Sequence, residues 1–190
     1  VAISQIANLR AEHNPYVIKI NTEALVDKKT LELEKTRIVT EICNALEKET
    51  MFLVATRIET SDKLDLATFA QTRGLSIQEV SESISEGVAE IADAIIEKMG
   101  DQIGGLYTSG GDITQAVLNK TKTLGIEIKD EIIPLAVYGR IMDGKLDSKA
   151  IITKGGLIGD EETLVQCADY LITKLSTTYS ESVKRNDGDL

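Results

Sequence analysis

Two short stretches of this chain have residue types and spacing that suit phosphate chemistry. One is "SGGDIT", Ser109 to Thr114, and the other is "KGGLIGD", Lys154 to Asp160. Each follows an apolar run and leads into a segment with a helical pattern. Paired glycines permit positive φ and leave the backbone amides bare. The first turn of a following helix adds unpaired N–H groups and about half a unit of positive charge. Such a joint attracts an anion. Lys154 adds a point charge able to follow a moving phosphoryl group. The candidate nucleotide contacts are therefore Ser109, Gly110, Gly111, Asp112 and Thr114 in the first joint, with Gly155, Gly156 and Gly159 in the second. Lys154 and Asp112 are the candidate catalytic residues.

A glycine pair followed by Asp is also how an α/β protein turns a corner and caps a helix. Two such joints in one chain, one with a lysine, shift the balance toward phosphate. The aspartates work against it, because like charges about 4 Å apart repel by roughly 1 kcal/mol even in a water-like dielectric. Mg²⁺ shared between phosphate oxygens and Asp112 removes that conflict and makes Asp112 the candidate metal ligand. Asp160, followed by "EETL", reads as a helix cap. Neither joint is a Walker loop, since Lys154 precedes its glycines. A dinucleotide fingerprint lacks its third spaced glycine, although Asp130 and Glu131 stand where a ribose-binding acid would fall.

The elements that must position these joints alternate. Residues 2–12 read as helix, 16–20 as strand, 30–49 as a helix with Leu31, Leu33, Ile38, Ile42 and Leu46 on its apolar face, and 51–57 as strand. A long amphipathic helix spans 76–99, lined by Val80, Ile84, Val88, Ile91 and Ile95, with Gly87 inside it as a sign of close packing. A strand through "GGLYTS", a helix over 112–123, strands at "IEIKDEI", "AVYGRIM" and "AIITK", and a helix from about Glu161 to Leu175 complete the series. This is an α/β pattern: one domain over 1–176 with a mainly parallel or mixed sheet covered by helices on both faces, and a polar tail over 177–190 with a disordered end.

Composition narrows the function. The 190 residues carry 31 acidic against 21 basic side chains, a formal net charge of -10. A nucleic-acid backbone would be repelled. With no long apolar run and no secretory leader pattern, the expectation is a cytoplasmic protein that binds no membrane. Cys43 and Cys167 read as buried thiols, and His13, the one histidine, as a surface or capping residue. Arg140 reads as an ion-pairing residue, and Tyr107 and Tyr138 as core aromatics.

Taken together, "GLYTSGGDIT", "LGIEIKDEIIPLAVYGRI" and "ITKGGLIGDEETLVQCADYL" resemble the C-terminal nucleotide-binding domain of the four-carbon acid sugar kinases. That family has a strand ending in GGDT, an LG…EI…P segment, and TKxGGFGD before a last helix. Ile113 stands here for the Thr of the first motif, and Leu157 and Ile158 for the Gly and Phe of the second. The resemblance implies phosphorylation of a threonate- or erythronate-type acid at a terminal hydroxyl, with ATP and Mg²⁺ as cofactors. It also implies that a preceding sugar-acid-binding domain of the same full-length chain is the partner, so that this stretch alone would not turn over substrate. A homodimer is left open by the apolar helix faces. The alternatives are a regulatory nucleotide-binding module without catalysis and an NAD(P)-linked oxidoreductase using Asp130 or Glu131.

Overall fold

The computed structural model describes residues 1–186. In chain order the elements are α1 (Ala2–His13), β1 (Tyr16–Lys19), α2 (Lys28–Ala45), β2 (Phe52–Ala55), α3 (Leu66–Arg73), α4 (Ile77–Met99), β3 (Gly105–Ser109), α5 (Gly111–Lys120), β4 (Gly125–Ile133), β5 (Ala136–Met142), β6 (Ala150–Lys154) and α6 (Thr163–Asn186). The helices begin where polar side chains can satisfy their free amides. Asp27 accepts from the Lys29 and Thr30 amides, Asp65 from those of Ala67 and Thr68, and Ser76 and Glu79 form a reciprocal capping box at α4.

The strands form two sheets. β1 and β2 pair in parallel, while the larger sheet has the order β3-β6-β5-β4. In the larger sheet β3 and β6 are parallel, and β5 is antiparallel to both β6 and β4. β4 lies at one margin and is irregular, its register shifting between Ile128 and Asp130 and again between Glu131 and Ile133.

Strand alternation sorts the core into layers. On β6, Ala150 and Ile152 pack with Cys167, Tyr170 and Leu171 of α6, whereas Ile151 packs against Ile96 of α4 and Leu118 of α5. The small sheet follows the same plan. Ile18 meets Ile38 and Ile42 of α2 and Ile91 of α4, while Val17 and Leu53 meet Ile6 and Leu9 of α1 and Leu164 and Val165 of α6. Each sheet is thus the middle of three layers, and α4 and α6 serve both. This is the expected α/β architecture in its mixed form.

Three details depart from the pattern read in the sequence. Leu33 is exposed, because at 3.6 residues per turn it lies roughly 200° around the helix from Leu31. The short helix α3 was not anticipated. The last helix continues past Leu175 to Asn186, and the disorder expected at the very end of the tail falls on residues 187–190, outside the described residues.

Gly87 packs closely, as expected: a Cβ there would come 2.7 Å from Cβ of Leu25, which is itself buried. Replacement of Gly87 by Val should lower the unfolding free energy by about 1–3 kcal/mol. A shifted urea midpoint at unchanged m-value would show it.

Candidate functional site

Parallel pairing of β3 with β6 sets Ser109 opposite Lys154, the last residue of each strand. Both glycine joints therefore leave the sheet at the same end. The two backbones touch there: the Gly110 amide donates to the Lys154 carbonyl at 2.9 Å, and a Cβ on Gly156 would stand 3.5 Å from Gly110 Cα. Gly110 has φ +97° and Gly159 has φ +84°, conformations that side chains rarely adopt. The carboxyl ends of neighbouring parallel strands are the ordinary place for a ligand in an α/β sheet.

Beside the joints lies an open cleft of about 420 Å³. Gly111, Thr114, Gln115 and Leu118 line it from α5, Leu124 and Gly125 from the start of β4, Leu135 from the β4–β5 turn, and Thr153, Lys154 and Gly155 from β6. Leu124 and Leu135 are largely exposed and mark the two ends of the cleft: Leu135 lies beside Gly155 at the joints, and Leu124 lies beside Met142 at the far end, where β4 begins. Leu135 is held at φ +65° in a turn that its neighbours brace. Its amide donates to the Glu131 carboxylate at 3.2 Å, and its carbonyl accepts from the Gly155 amide, also at 3.2 Å.

The sequence-derived candidates fall into three groups. Gly111 and Thr114 of the first joint and Gly155 of the second face the cleft. Thr114 is fixed by a 2.9 Å hydroxyl contact with Thr108. Gly110 has its amide committed to Lys154, so the free donors of this joint lie in the first turn of α5, beginning at Gly111. Gly156 and Gly159 shape the second joint, where a Cβ on Gly159 would collide with the Thr163 side chain. Asp112 is exposed and opens instead on the groove between α4 and α5. Ser109 sits at the β3 terminus, half-buried.

Lys154 is buried beneath its own loop. Its ammonium donates to the Gly155 carbonyl at 2.7 Å and the Ile158 carbonyl at 3.1 Å. Burial lowers its pKa from the ordinary lysine value. Burial also pushes the neighbouring Cys167 thiol up to about 11, against the pull of the Lys154 charge. Asp160 caps α6, accepting from the Glu162 amide and the Thr163 hydroxyl. That is the capping role read for it in the sequence.

Gln5 was missed in the sequence. Its buried side chain reaches from α1 to donate to the Ile158 and Asp160 carbonyls at 3.1 and 2.7 Å. Asn8 reaches Glu161 and Glu162 from the same helix face. The i, i+3 polar pair on an otherwise apolar face was the available signal.

The remaining polar and aromatic residues have structural partners. Tyr170 donates to Asp130, and Glu131 braces Leu135, so the acids that an oxidoreductase would turn to a ribose are engaged elsewhere. Their strand is moreover antiparallel to its neighbour, unlike a dinucleotide-binding unit. Arg140 donates to the Ser148 carbonyl, His13 pairs with Asp169, and Tyr107 and Tyr138 pack in the core. Both cysteines are free. Among the described residues no group of three or more His, Cys, Asp or Glu could hold a metal, and no helix is long and apolar enough to cross a membrane.

Comparison with known proteins finds relatives over most of the chain. The profile of a family described as nucleotide-binding C-terminal domain matches residues 1–164. The D-erythronate kinase of Heliobacterium modesticaldum is 38% identical over 171 residues, covering 88% of this chain and 39% of its own. The D-threonate kinase of Salmonella typhimurium is 26% identical over 167 residues, again covering 88% of this chain and 39% of its own. The chain thus spans well under half the length of the curated relatives it matches. A domain-swapped dimer from Bordetella bronchiseptica, crystallised with citrate, shares the fold with a TM-score of 0.62 and 20% identity, covering 90% of this chain and 38% of that one.

Replacing Gln5 by Leu should remove one buried hydrogen bond from each of the Ile158 and Asp160 carbonyls, which keep Lys154 and the Thr163 amide as partners, and cost about 1–3 kcal/mol. Hydrogen exchange of the 155–160 amides should quicken more than exchange in β5.

Proposed function

As the chain belongs to the nucleotide-binding C-terminal domain family, we propose that it is the ATP-binding part of a kinase acting on a four-carbon sugar acid of the erythronate or threonate type. The observation that carries the reading is the meeting of the two glycine joints, with Gly110 bonded to Lys154 and Gly156 beside Gly110. Two bare backbone corners and one helix N-terminus then share a single mouth. Both named kinases that resemble the chain support the same reading.

In this reading the exposed apolar side chain of Leu135, beside Gly155, takes the base. The amides of the α5 first turn and of the second joint take the phosphates. Lys154 acts from below: its ammonium holds the Gly155 and Ile158 carbonyls, which keeps the loop amides turned outward and lays positive potential under the bound anion. Mg²⁺ on the phosphates supplies charge neutralisation when bound; Asp112, in the first turn of α5, opens on the groove between α4 and α5 and would hold the ion from that side of the first joint. Phosphoryl transfer asks chiefly for such positioning and electrostatic support. The acceptor acid and the base for its hydroxyl belong to the part of the full-length protein that precedes this domain, and the expected compartment is the cytoplasm.

Gly111→Val tests the cleft directly. A side chain at Gly111 would meet nothing within 4 Å, so the fold should tolerate it while a bound phosphate should not. Calorimetric titration of the full-length protein with ATP·Mg should show affinity reduced about tenfold or more, roughly 1.4 kcal/mol, with an unchanged melting temperature. Unchanged affinity would remove the phosphates from this joint.

Kinase assay on D-erythronate and D-threonate separates a catalyst from a binding module, which would bind ATP and release no product. In the active protein, Lys154→Met should lower kcat by about 10²-fold or more, near 3 kcal/mol of transition-state stabilisation. An unaltered kcat would reduce Lys154 to a packing residue.

A further inference from the structure

The turn that leaves β2 is held more firmly than a surface connection requires. Asp62 accepts from the Ile58 and Glu59 amides at 2.9 and 2.8 Å and also binds Lys19 of β1. These contacts hold its carboxyl down at about 2, the lysine first among the causes. The Thr56 carbonyl accepts from the Thr22 hydroxyl, and Ile58 is buried. Between these fixed points Arg57 is exposed and makes no hydrogen bond or ion pair among the described residues.

Its neighbour places it. Ile58 belongs to one apolar cluster with Leu164 and Val165, which open α6 just after the second glycine joint. Leu53 and Ala55 of β2 and Tyr107 of β3 pack against the same cluster. Along this end of the molecule the order is therefore Leu135 at the start of β5, then the β6 and β3 joints, then the β2 turn with Arg57. A nucleotide with its base at Leu135 and its phosphates at the glycine corners carries its outermost phosphate toward the β2 side.

We propose that Arg57 binds the terminal phosphate of the nucleotide. The inference rests on the nucleotide-binding reading above and adds to it the group that distinguishes ATP from its shorter relatives. A guanidinium suits this task, since its planar fork pairs with two phosphate oxygens at once and is always charged. The rigid turn lowers the ordering cost of bringing it there.

The test is calorimetric titration of the full-length protein and its Arg57→Gln and Arg57→Lys variants with ATP·Mg, ADP·Mg and AMP. Arg57→Gln should weaken ATP about tenfold or more and leave AMP within about twofold. Arg57→Lys should fall between, keeping charge without the fork. It also carries the comparison if the glutamine variant folds poorly. Equal losses for all three nucleotides, or none, would overturn the role of Arg57 while the nucleotide site stood. Failure of the unmodified protein to bind any of the three would overturn the nucleotide reading, and this inference with it.

Discussion

The hydrogen bond from the Gly110 amide to the Lys154 carbonyl continues the parallel β3–β6 ladder one step beyond its last strand residues. Without it, two glycine-rich corners far apart in sequence would be independent connections. With it, they are the two lips of one opening. Everything polar around the site supports this arrangement from behind: Lys154 and Gln5 hold carbonyls of the second joint, the Gly155 amide is tied to Leu135, and Thr114 is tied to Thr108. Three carbonyls of the second joint, those of Gly155, Ile158 and Asp160, are satisfied from within the fold.

Lys154 shows how the place of a residue can be legible in sequence while the direction of its side chain is not. A lysine at a strand end, next to glycines, reads in sequence as a cation aimed at phosphate. On β6 the alternation of side chains sends Lys154 to the same face as Ala150 and Ile152, toward α6 and Cys167. A charge placed there is costly to bury without partners. The loop curls over it and provides two. In the proposed function its charge would act on a ligand through the loop it holds.

Much of the fold was legible because the apolar periods were clean: α4 buries Val80 and Ile91 and packs Ile84, Val88 and Ile95 on one face as the spacing required. α3 was not legible, since Ala70 is its one buried residue and so short a segment has no periodicity to detect. Its flanks, Asp65 as cap and Gly74 at φ +67°, were the only signals. For the site, glycine pairs disclosed where the backbone is bare, but not which amides are already used. Gly110 and Gly155 spend theirs on long-range partners, and no local pattern encodes that. Gln5 was hidden for the same reason, as its two acceptors lie more than 150 residues away.

The irregular margin strand has a bearing on how the protein behaves in company. β4 is nine residues long, has no strand on its outer side among the described residues, and shows Ile128 to solvent at 56% exposure. A straight ladder of that length would template the addition of foreign strands. Two register breaks, together with Glu127, Lys129, Asp130 and Glu131, spoil the template by twisting it and studding it with charge. Crowded solutions of this protein are therefore guarded against fibrillar accretion along β4.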